Sequence, residues 1–300
     1  MAWLVVAILA YFFLAISFFG DKFLLTSGIS NPKVYTFYVG ILSIFVVIFI
    51  PFGFFLPSLS QILLAFLTGL IFILGLYIYY SLVKKFEVSR IVPTIGGTIP
   101  ILTFLFIYVF SKGTVRPSFG NIISFLLLTS GSVLIIAEKI KDVFNKTFIF
   151  SLGAAFYFAL YYVLAKSVYT SLDFINGFIW IRFGSFLAAL IFLFSREVRG
   201  QVFSSTRQKG IKTTGLFIGN QIAGSLGGIL QNWAVALAPL IFVAFVNALA
   251  GVQYVFLLFF TALISIKFPQ ILKEKISKKI ILQKILAILI IGAGLGLLAF

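Results

Sequence analysis

One arginine has the type and position to bind an anionic solute. Arg182 lies about eight residues inside the apolar run 174–194, too deep for its side chain to reach a headgroup layer easily. Asp173 is nine residues away, about 13 Å along a helix, and is therefore too far to pair with it directly. A guanidinium binds carboxylate or phosphate through paired hydrogen bonds. Arg182 is predicted to attract such a group on the solute.

Side-chain amides are concentrated in two apolar runs, "GNQIAGSLGGILQN" (219–232) and "FVAFVNALAGVQYVF" (242–256). In the first run, small and polar residues recur at helical spacing and predict one small, polar helix face. Buried amides that face a cavity can hydrate or bind solute. Hydrogen bonding between helices is a credible alternative for any one amide, and less so for all of them. The predicted pathway residues here are Asn220, Gln221, Gln231, Asn232, Asn247 and Gln253, with Trp233 as an aromatic neighbour.

The stretch "SRIVPTIGGTIPILTF" (89–104) places helix-weakening residues in the middle of an apolar run. Pro100 has no N–H, so the carbonyl of Gly96 is predicted to lose its helical partner. In hydrocarbon a free carbonyl costs roughly several kcal/mol unless protein or water satisfies it. Together with Thr94 and Gly97, these residues predict a border or hinge of a solute cavity. Close helix packing through small residues is the alternative.

Three further residues are candidates for the pathway. Lys22 and Lys166 lie near the ends of apolar runs, where a charged residue is a functional candidate. The alternative is that their long stems reach the headgroups. Tyr80 is an aromatic candidate because it borders positions that match between the two halves of the chain.

The elements that hold these residues are predicted to be membrane helices. The chain has 300 residues, 62% hydrophobic and 10% charged, with a mean hydropathy of +1.19. Apolar runs of roughly 20 residues, long enough to cross a bilayer, recur along it. The first run lacks the features of a cleaved signal peptide and is predicted to be retained. An all-α membrane protein with ten spans is predicted: 3–25, 34–56, 60–83, 91–111, 118–137, 148–169, 174–194, 213–236, 240–266 and 281–299.

Enzyme chemistry is not expected. The chain has no histidine, no cysteine and only seven carboxylates, none at metal-ligand spacing. We therefore predict no metal and no cofactor. The net charge of +16 is attributed to short loops facing anionic lipid, not to nucleic acid. Membrane lipids and a small-molecule substrate are the expected partners, and the sequence leaves a monomer and a homodimer equally open.

The two halves of the chain, 1–140 and 141–300, look like copies. "YFFLAISFFGDKFLLTS" (11–27) aligns with "FYFALYYVLAKSVYTS" (156–171), which places Lys22 opposite Lys166. Because five spans is an odd number, the second copy must enter the membrane from the opposite face. Two inverted five-helix repeats, integrated into one transmembrane domain, are a characteristic transporter plan with the binding site at the repeat interface.

The segment "YIYYSLVKKFEVSRIVPTIGGTIPILTFLFIYVF" and its counterpart "LQNWAVALAPLIFVAFVNALAGVQYVFLLFF" resemble the EamA group of the drug/metabolite transporter superfamily. The resemblance covers nearly the whole chain and implies a multi-pass transporter of the plasma membrane. Amino acids or their derivatives are the solutes it implies, moved by alternating access. Two positions depart from the family pattern: Tyr38 replaces an arginine that Arg182 retains in the second half, and "SKGTV" (111–115) replaces an acidic turn.

All seven acids lie at or beyond the ends of the predicted spans, and Asp21 is the one among them that could still support proton coupling. Facilitated diffusion or exchange is therefore favoured over carboxylate-based proton coupling. Eighteen of the 20 loop bases fall on one side, which predicts that both termini lie outside. The family resemblance implies termini inside. A flippase or scramblase of a phosphorylated lipid carrier, and a non-transporting membrane interaction protein, are the alternative functions.

Overall fold

The structure is a computed structural model that describes residues 2–25, 31–86, 88–115, 117–134, 146–203, 211–267 and 278–299. All regular secondary structure in these ranges is helical. The α-helices are α1 Ala2–Phe23, α2 Pro32–Ile41, α3 Leu59–Lys85, α4 Val88–Phe110, α5 Phe119–Leu134, α6 Lys146–Ser171, α7 Phe174–Leu190, α8 Arg196–Phe203, α9 Ile211–Leu237, α10 Val243–Ala248, α11 Ala250–Lys267 and α12 Lys278–Ala299. Segments of 3₁₀ helix extend α2 (Leu42–Phe52) and α7 (Ile191–Phe194) and precede α10 (Leu240–Phe242).

Several helices have the length and composition of membrane spans. Within the described ranges, five segments are long and apolar enough to cross a bilayer: Pro32–Phe52, Leu59–Lys85, Phe148–Ser171, Phe174–Phe194 and Leu240–Leu257. Four shorter apolar helices accompany them: Ala2–Phe18, Thr94–Phe110, Phe119–Leu134 and Leu282–Leu298. The chain is therefore all-helical in its described parts and has the character of an integral membrane protein.

Polar residues in the connections fix where three of these helices begin. Ser58 and Gln61 form a capping box at the start of α3, in which Ser58 N–H donates to Gln61 Oε1 at 3.0 Å. Asn31 caps α2, whose first residue is Pro32. Asp173 caps α7 and accepts a hydrogen bond from Asn176 N–H at 3.0 Å. Asp173 is thus a helix cap, and Arg182 lies further along the same helix.

The prolines expected to weaken the fourth span lie within one continuous helix, α4. Gly97 packs against α5, since a β-carbon there would lie 2.6 Å from Val133 Cγ2. A helix interruption occurs instead in the ninth predicted span, where α10 ends at Ala248 and α11 begins at Ala250. The predicted span 240–266 is therefore divided, directly beside Asn247.

Helix α8 lies in the polar stretch between α7 and α9, where the sequence predicts only a loop. It places Glu197 against Lys33 at the start of α2, with 3.2 Å between Glu197 Oε2 and Lys33 Nζ. Asn31 Nδ2 donates to the same oxygen at 3.4 Å. Hydrogen bonds from Lys33 and Asn31 hold the pKa of the Glu197 carboxyl below its ordinary value of 4.5. This exposed cluster links the two halves of the chain outside the apolar helices.

The helices of the two halves pack against each other reciprocally. Helix α1 packs on α9 and α6 packs on α3, so the first long helix of each half contacts a helix in the middle of the other half. Helix α2 packs on α7, and α5 packs on α12. Along the α1–α9 contact, Gly20 lies against Asn220 and Leu14 against Gly227. Since residue numbers rise on one helix as they fall on the other, α1 and α9 run antiparallel.

Candidate functional site

A cavity of about 450 Å³ lies among the helices, within the size range of small-molecule sites. Its walls come from α1, α2 with its 3₁₀ extension, α3 and α4 in the first half, and from α6, α7, α9, α10 and α11 in the second. Along α9 the lining runs from Gln221 to Asn232, about 16 Å of helix. The cavity therefore lies between the two halves of the chain.

Arg182 of α7 lines this cavity and is held by aromatic rings. Its guanidinium carbon lies 4.9 Å from the ring centre of Phe72 on α3 and 4.9 Å from that of Phe178 on α7. These cation–π contacts fix the side chain but do not neutralise its charge. Among the described side chains, no carboxylate forms an ion pair with Arg182. The guanidinium retains the capacity to bind an anionic group.

Asn232 lines the cavity, but its amide is used within the protein. Tyr161 and Tyr169 of α6 donate hydrogen bonds to Asn232 Oδ1 at 2.7 and 2.8 Å. Asn232 Nδ2 donates to the carbonyl of Gly228 at 2.8 Å. Both ends of the amide have partners within the protein. Asn232 therefore holds α6 against α9 and has a structural role in the cavity wall.

Asn247, at the α10–α11 interruption, has one satisfied and one unsatisfied end. Its Nδ2 donates to Thr103 Oγ1 of α4 at 3.0 Å. Its Oδ1 is buried and has no hydrogen-bond partner among the residues that the structure describes. The residue lines the cavity. A buried acceptor without a partner is costly and is a position where a donor from a solute or a water would be stabilised.

Two glutamines of α9 reach tyrosines of the first half. Gln231 Nε2 donates to the Tyr11 hydroxyl at 3.1 Å, and Tyr11 in turn donates to the carbonyl of Val246 at 2.8 Å. Gln221 Nε2 makes a longer contact of 3.4 Å to the Tyr35 hydroxyl. Both glutamines line the cavity. These bonds connect α1, α2, α9 and α10 around it.

Asp21 is a cavity residue that the sequence does not place in the pathway. It lies near the end of α1 and lines the cavity. Its Oδ1 accepts hydrogen bonds from the Tyr35 hydroxyl and, at 2.7 Å, from Asn220 Nδ2. A sequence signal existed, since Tyr11, Leu14, Ser17 and Asp21 recur at helical spacing and share one face of α1. The position of Asp21 near the end of a predicted span does not by itself reveal that the residue belongs to this face.

The remaining predicted residues are divided between the cavity and its surroundings. Gly96, Tyr80 and Gln253 line the cavity, as do the arginine and four of the amides described above. Asn220 is not among the described lining residues, but it donates a hydrogen bond to Asp21, which lines the cavity. Thr94, Gly97, Pro100, Lys166 and Trp233 are not among the described lining residues. The side chain of Lys22 lies outside the described part of the chain.

Two of the residues outside the lining have defined environments. Trp233 is 42% exposed on α9. Lys166 Nζ donates to the carbonyl of Ala236 at 2.9 Å. Ala236 is in the last turn of α9, where carbonyls lack helical partners and a cation is favourable. Lys166 therefore serves as a cap for α9.

These groups have the chemistry to bind a small polar molecule. Within the described ranges no group of three His, Cys, Asp or Glu residues is placed to hold a metal ion. Among the described residues, the cavity wall combines one guanidinium, one carboxylate, several amides and many aromatic rings. Such a wall can orient a small polar molecule through charge-assisted and neutral hydrogen bonds.

Comparison with known proteins identifies a fold and no family. No family model matches the chain, and no characterised protein matches it in sequence. A solved structure described as "Crystal structure of protein" is similar over 99% of this chain and 96% of that chain, with a TM-score of 0.62 at 13% identity. At this identity the similarity shows a shared overall fold.

Proposed function

We propose that this protein is a secondary transporter of a small anionic or zwitterionic metabolite, such as an amino acid or a derivative. In this proposal it resembles the EamA group, crosses the plasma membrane ten times as two inverted five-helix units and works by alternating access. Transport is facilitated diffusion or exchange, and the protein is not an enzyme. The solute is bound between the two units.

The single observation that carries this proposal is the environment of Arg182. A cation inside a cavity between apolar helices is costly unless it has a counter-charge. No described carboxylate pairs with Arg182, while two aromatic rings fix its position. An anionic group on a solute would supply the missing counter-charge. The carboxylate of an amino acid has the geometry for a paired contact with a guanidinium.

The reciprocal packing of the helices supports the inverted arrangement. The contacts α1–α9 and α6–α3 exchange under a swap of the two halves, whereas α2–α7 and α5–α12 each map onto themselves. This is the pattern expected of two related units around a pseudo-two-fold axis. Such units can rock against each other around a central site.

The 3₁₀ extension of α2 supports a conformational cycle. It covers Leu42–Phe52, 11 residues, and several of them line the cavity. Runs of 3₁₀ helix longer than about 4 residues are uncommon because their hydrogen-bond geometry is poorer than that of an α-helix. Helix α7, which occupies the corresponding place in the second half, also ends in a 3₁₀ segment, Ile191–Phe194. These segments are suitable elements for a change between inward- and outward-open states.

Solute uptake into proteoliposomes tests the proposal. Purified protein is reconstituted with a mixture of unlabelled amino acids inside, and exchange with the radiolabelled mixture outside is measured. We expect exchange above that of protein-free vesicles and a loss of about tenfold or more in Arg182→Gln, because a charge-assisted contact is removed. Arg199→Gln is the matched control, since Arg199 is an exposed arginine on α8. Equal loss in both variants would contradict a specific role for Arg182.

The same vesicles separate the alternative functions. A fluorescent phospholipid in the inner leaflet, probed with a membrane-impermeant quencher, reports lipid flipping. Flipping without solute exchange would support a flippase or scramblase and overturn the proposal. Neither activity would support a membrane interaction protein.

A further inference from the structure

Asp21 and Arg182 are the two charged side chains among the described residues that line the cavity. One is anionic and the other cationic, and they belong to different halves of the chain. No ion pair joins them. The cavity therefore has two oppositely charged ends whose charges are not cancelled by each other.

The distance between the two ends follows from their contacts with α9. Asp21 accepts a hydrogen bond from Asn220 at 2.7 Å. Arg182 lies beside Gly228, where an added β-carbon would be 3.5 Å from a guanidinium nitrogen. Asn220 and Gly228 are eight residues apart on one helix, so the positions on α9 that the two charged groups contact are about 12 Å apart along the helix axis.

Asp21 is oriented as an acceptor. The hydrogen bonds from Tyr35 and Asn220 both end on Oδ1. They hold the carboxylate in place and leave Oδ2 without a described hydrogen bond. A carboxylate held by neutral donors at a cavity wall can bind an ammonium group through a charge-assisted hydrogen bond.

The cavity wall between Asp21 and Arg182 includes small and polar residues. Ser17 of α1 faces Gly224 of α9 so closely that a β-carbon at residue 224 would lie 2.7 Å from Ser17 Oγ. Ser225 also lines this part of the cavity. The absence of a side chain at Gly224 lets Ser17 approach α9 this closely, and the nearby hydroxyls can bond a polar group in the middle of an elongated solute.

We propose that Asp21, positioned by Tyr35 and Asn220, is a binding site for the ammonium group of a zwitterion whose carboxylate binds Arg182. This rests on the proposed transport function and narrows its substrate class. Across this separation of about 12 Å, solute groups that lie about 3 Å from Asp21 and from Arg182 are about 6 Å apart. One extended residue spans about 3.5 Å and two span about 7 Å. The cavity therefore fits a zwitterion of dipeptide length better than an α-amino acid.

Three probes of matched length test this site. Glycylglycine carries both charges, N-propanoylglycine replaces its ammonium by a methyl group, and glycylglycinamide replaces its carboxylate by an amide. Dissociation constants are measured by thermal shift of the purified full-length protein. We expect wild-type protein to bind glycylglycine at least about tenfold more tightly than either single-charge probe.

Two variants then assign the two ends. Asp21→Asn keeps an acceptor oxygen for Tyr35 and Asn220 but removes the negative charge. It should therefore abolish the preference for glycylglycine over N-propanoylglycine. Arg182→Gln should abolish the preference over glycylglycinamide. Glu197→Gln is the control for loss of a carboxylate outside the cavity and should change neither preference. The wild-type comparison remains decisive even where a variant does not purify.

Each contrary result has a distinct meaning. Equal wild-type affinity for glycylglycine and N-propanoylglycine would overturn the ammonium site while leaving Arg182 and the transport proposal intact. Failure of all three probes to bind would overturn the dipeptide-length class, whereas amino-acid exchange in vesicles tests transport independently. Loss of proton-dependent flux in Asp21→Asn, without any preference for glycylglycine, would make Asp21 a proton site and overturn the inference.

Discussion

Gly69 of α3 and Gly184 of α7 lie backbone against backbone. A β-carbon added to Gly69 would be 2.7 Å from the carbonyl carbon of Gly184 and 2.4 Å from the amide nitrogen of Ser185. A β-carbon added to Gly184 would be 2.5 Å from the α-carbon of Phe66. The contact joins a helix of each half and lies on the helix that carries Arg182. Such an approach is possible only where both helices lack side chains.

Gly69→Ala should therefore destabilise the protein by about 1–3 kcal/mol, since the atoms in the way belong to backbone and cannot rotate aside. Unfolding in a denaturing detergent titration measures the change. Gly153→Ala on α6 is the control, because nothing lies within 4 Å of its added carbon. That variant should be more stable by about 0.5–1 kcal/mol from helix propensity alone. Equal effects of the two variants would contradict the packing explanation.

Asn232→Leu should destabilise the protein by about 1–3 kcal/mol for each hydrogen-bonded tyrosine that it leaves unpaired. Both Tyr161 and Tyr169 donate to Asn232 Oδ1. The same detergent titration measures the loss. The control adds Tyr161→Phe and Tyr169→Phe to Asn232→Leu, and it should recover part of the stability because no buried hydroxyl remains unpaired. A triple variant that is less stable to unfolding than Asn232→Leu would contradict this account.

Thr103→Val and Asn247→Ala should separate folding from function. Thr103→Val leaves Asn247 Nδ2 without its acceptor and should cost about 1–3 kcal/mol of stability. Asn247→Ala removes both the donor and the acceptor of the side-chain amide, and Thr103 keeps its bond to the carbonyl of Ile99. We expect this variant to be the more stable of the two and to reduce solute exchange. Unchanged exchange in Asn247→Ala would remove this residue from the pathway.

Arg182→Lys should bind an anionic solute less tightly than wild type and more tightly than Arg182→Gln. Lysine keeps the charge but lacks the planar group that contacts Phe72 and Phe178 and that binds a carboxylate through two parallel bonds. We expect a loss of about tenfold relative to wild type. Thermal shift against an amino-acid panel measures the order of the three proteins. Equal affinity of the lysine variant and wild type would show that charge alone is sufficient.

Glu197→Gln should lower the melting temperature slightly at neutral pH and not at acidic pH. The pKa of Glu197 is lowered from its ordinary value of 4.5 by hydrogen bonds from Lys33 and Asn31. The stabilising contribution is therefore present above pH 4.5 and is lost as the pH falls through the lowered pKa. Melting curves of both proteins across this range measure the difference. A difference that grows on acidification would contradict the assignment.

The helical class and the position of most helices could be predicted from the sequence, because apolar runs of bilayer length require a helix to satisfy their backbone. Helix α8 was not predicted, since it is a short helix in a polar stretch and depends on contacts such as Lys33–Glu197. The location of the helix interruption was also not predictable. Pro100 lies inside α4, whereas the interruption occurs between Ala248 and Ala250.

By itself the sequence determined that Arg182, Asn247 and the amides of α9 lie within apolar helices and need polar surroundings. Only the tertiary structure decided which of them have partners. Asn232 is satisfied by two tyrosines of α6, Asn247 retains an unpaired oxygen, and Asp21 lines the same cavity as Arg182. The physical reason is that composition and periodicity constrain one helix at a time. The partner of a buried polar group depends on which faces of distant helices meet.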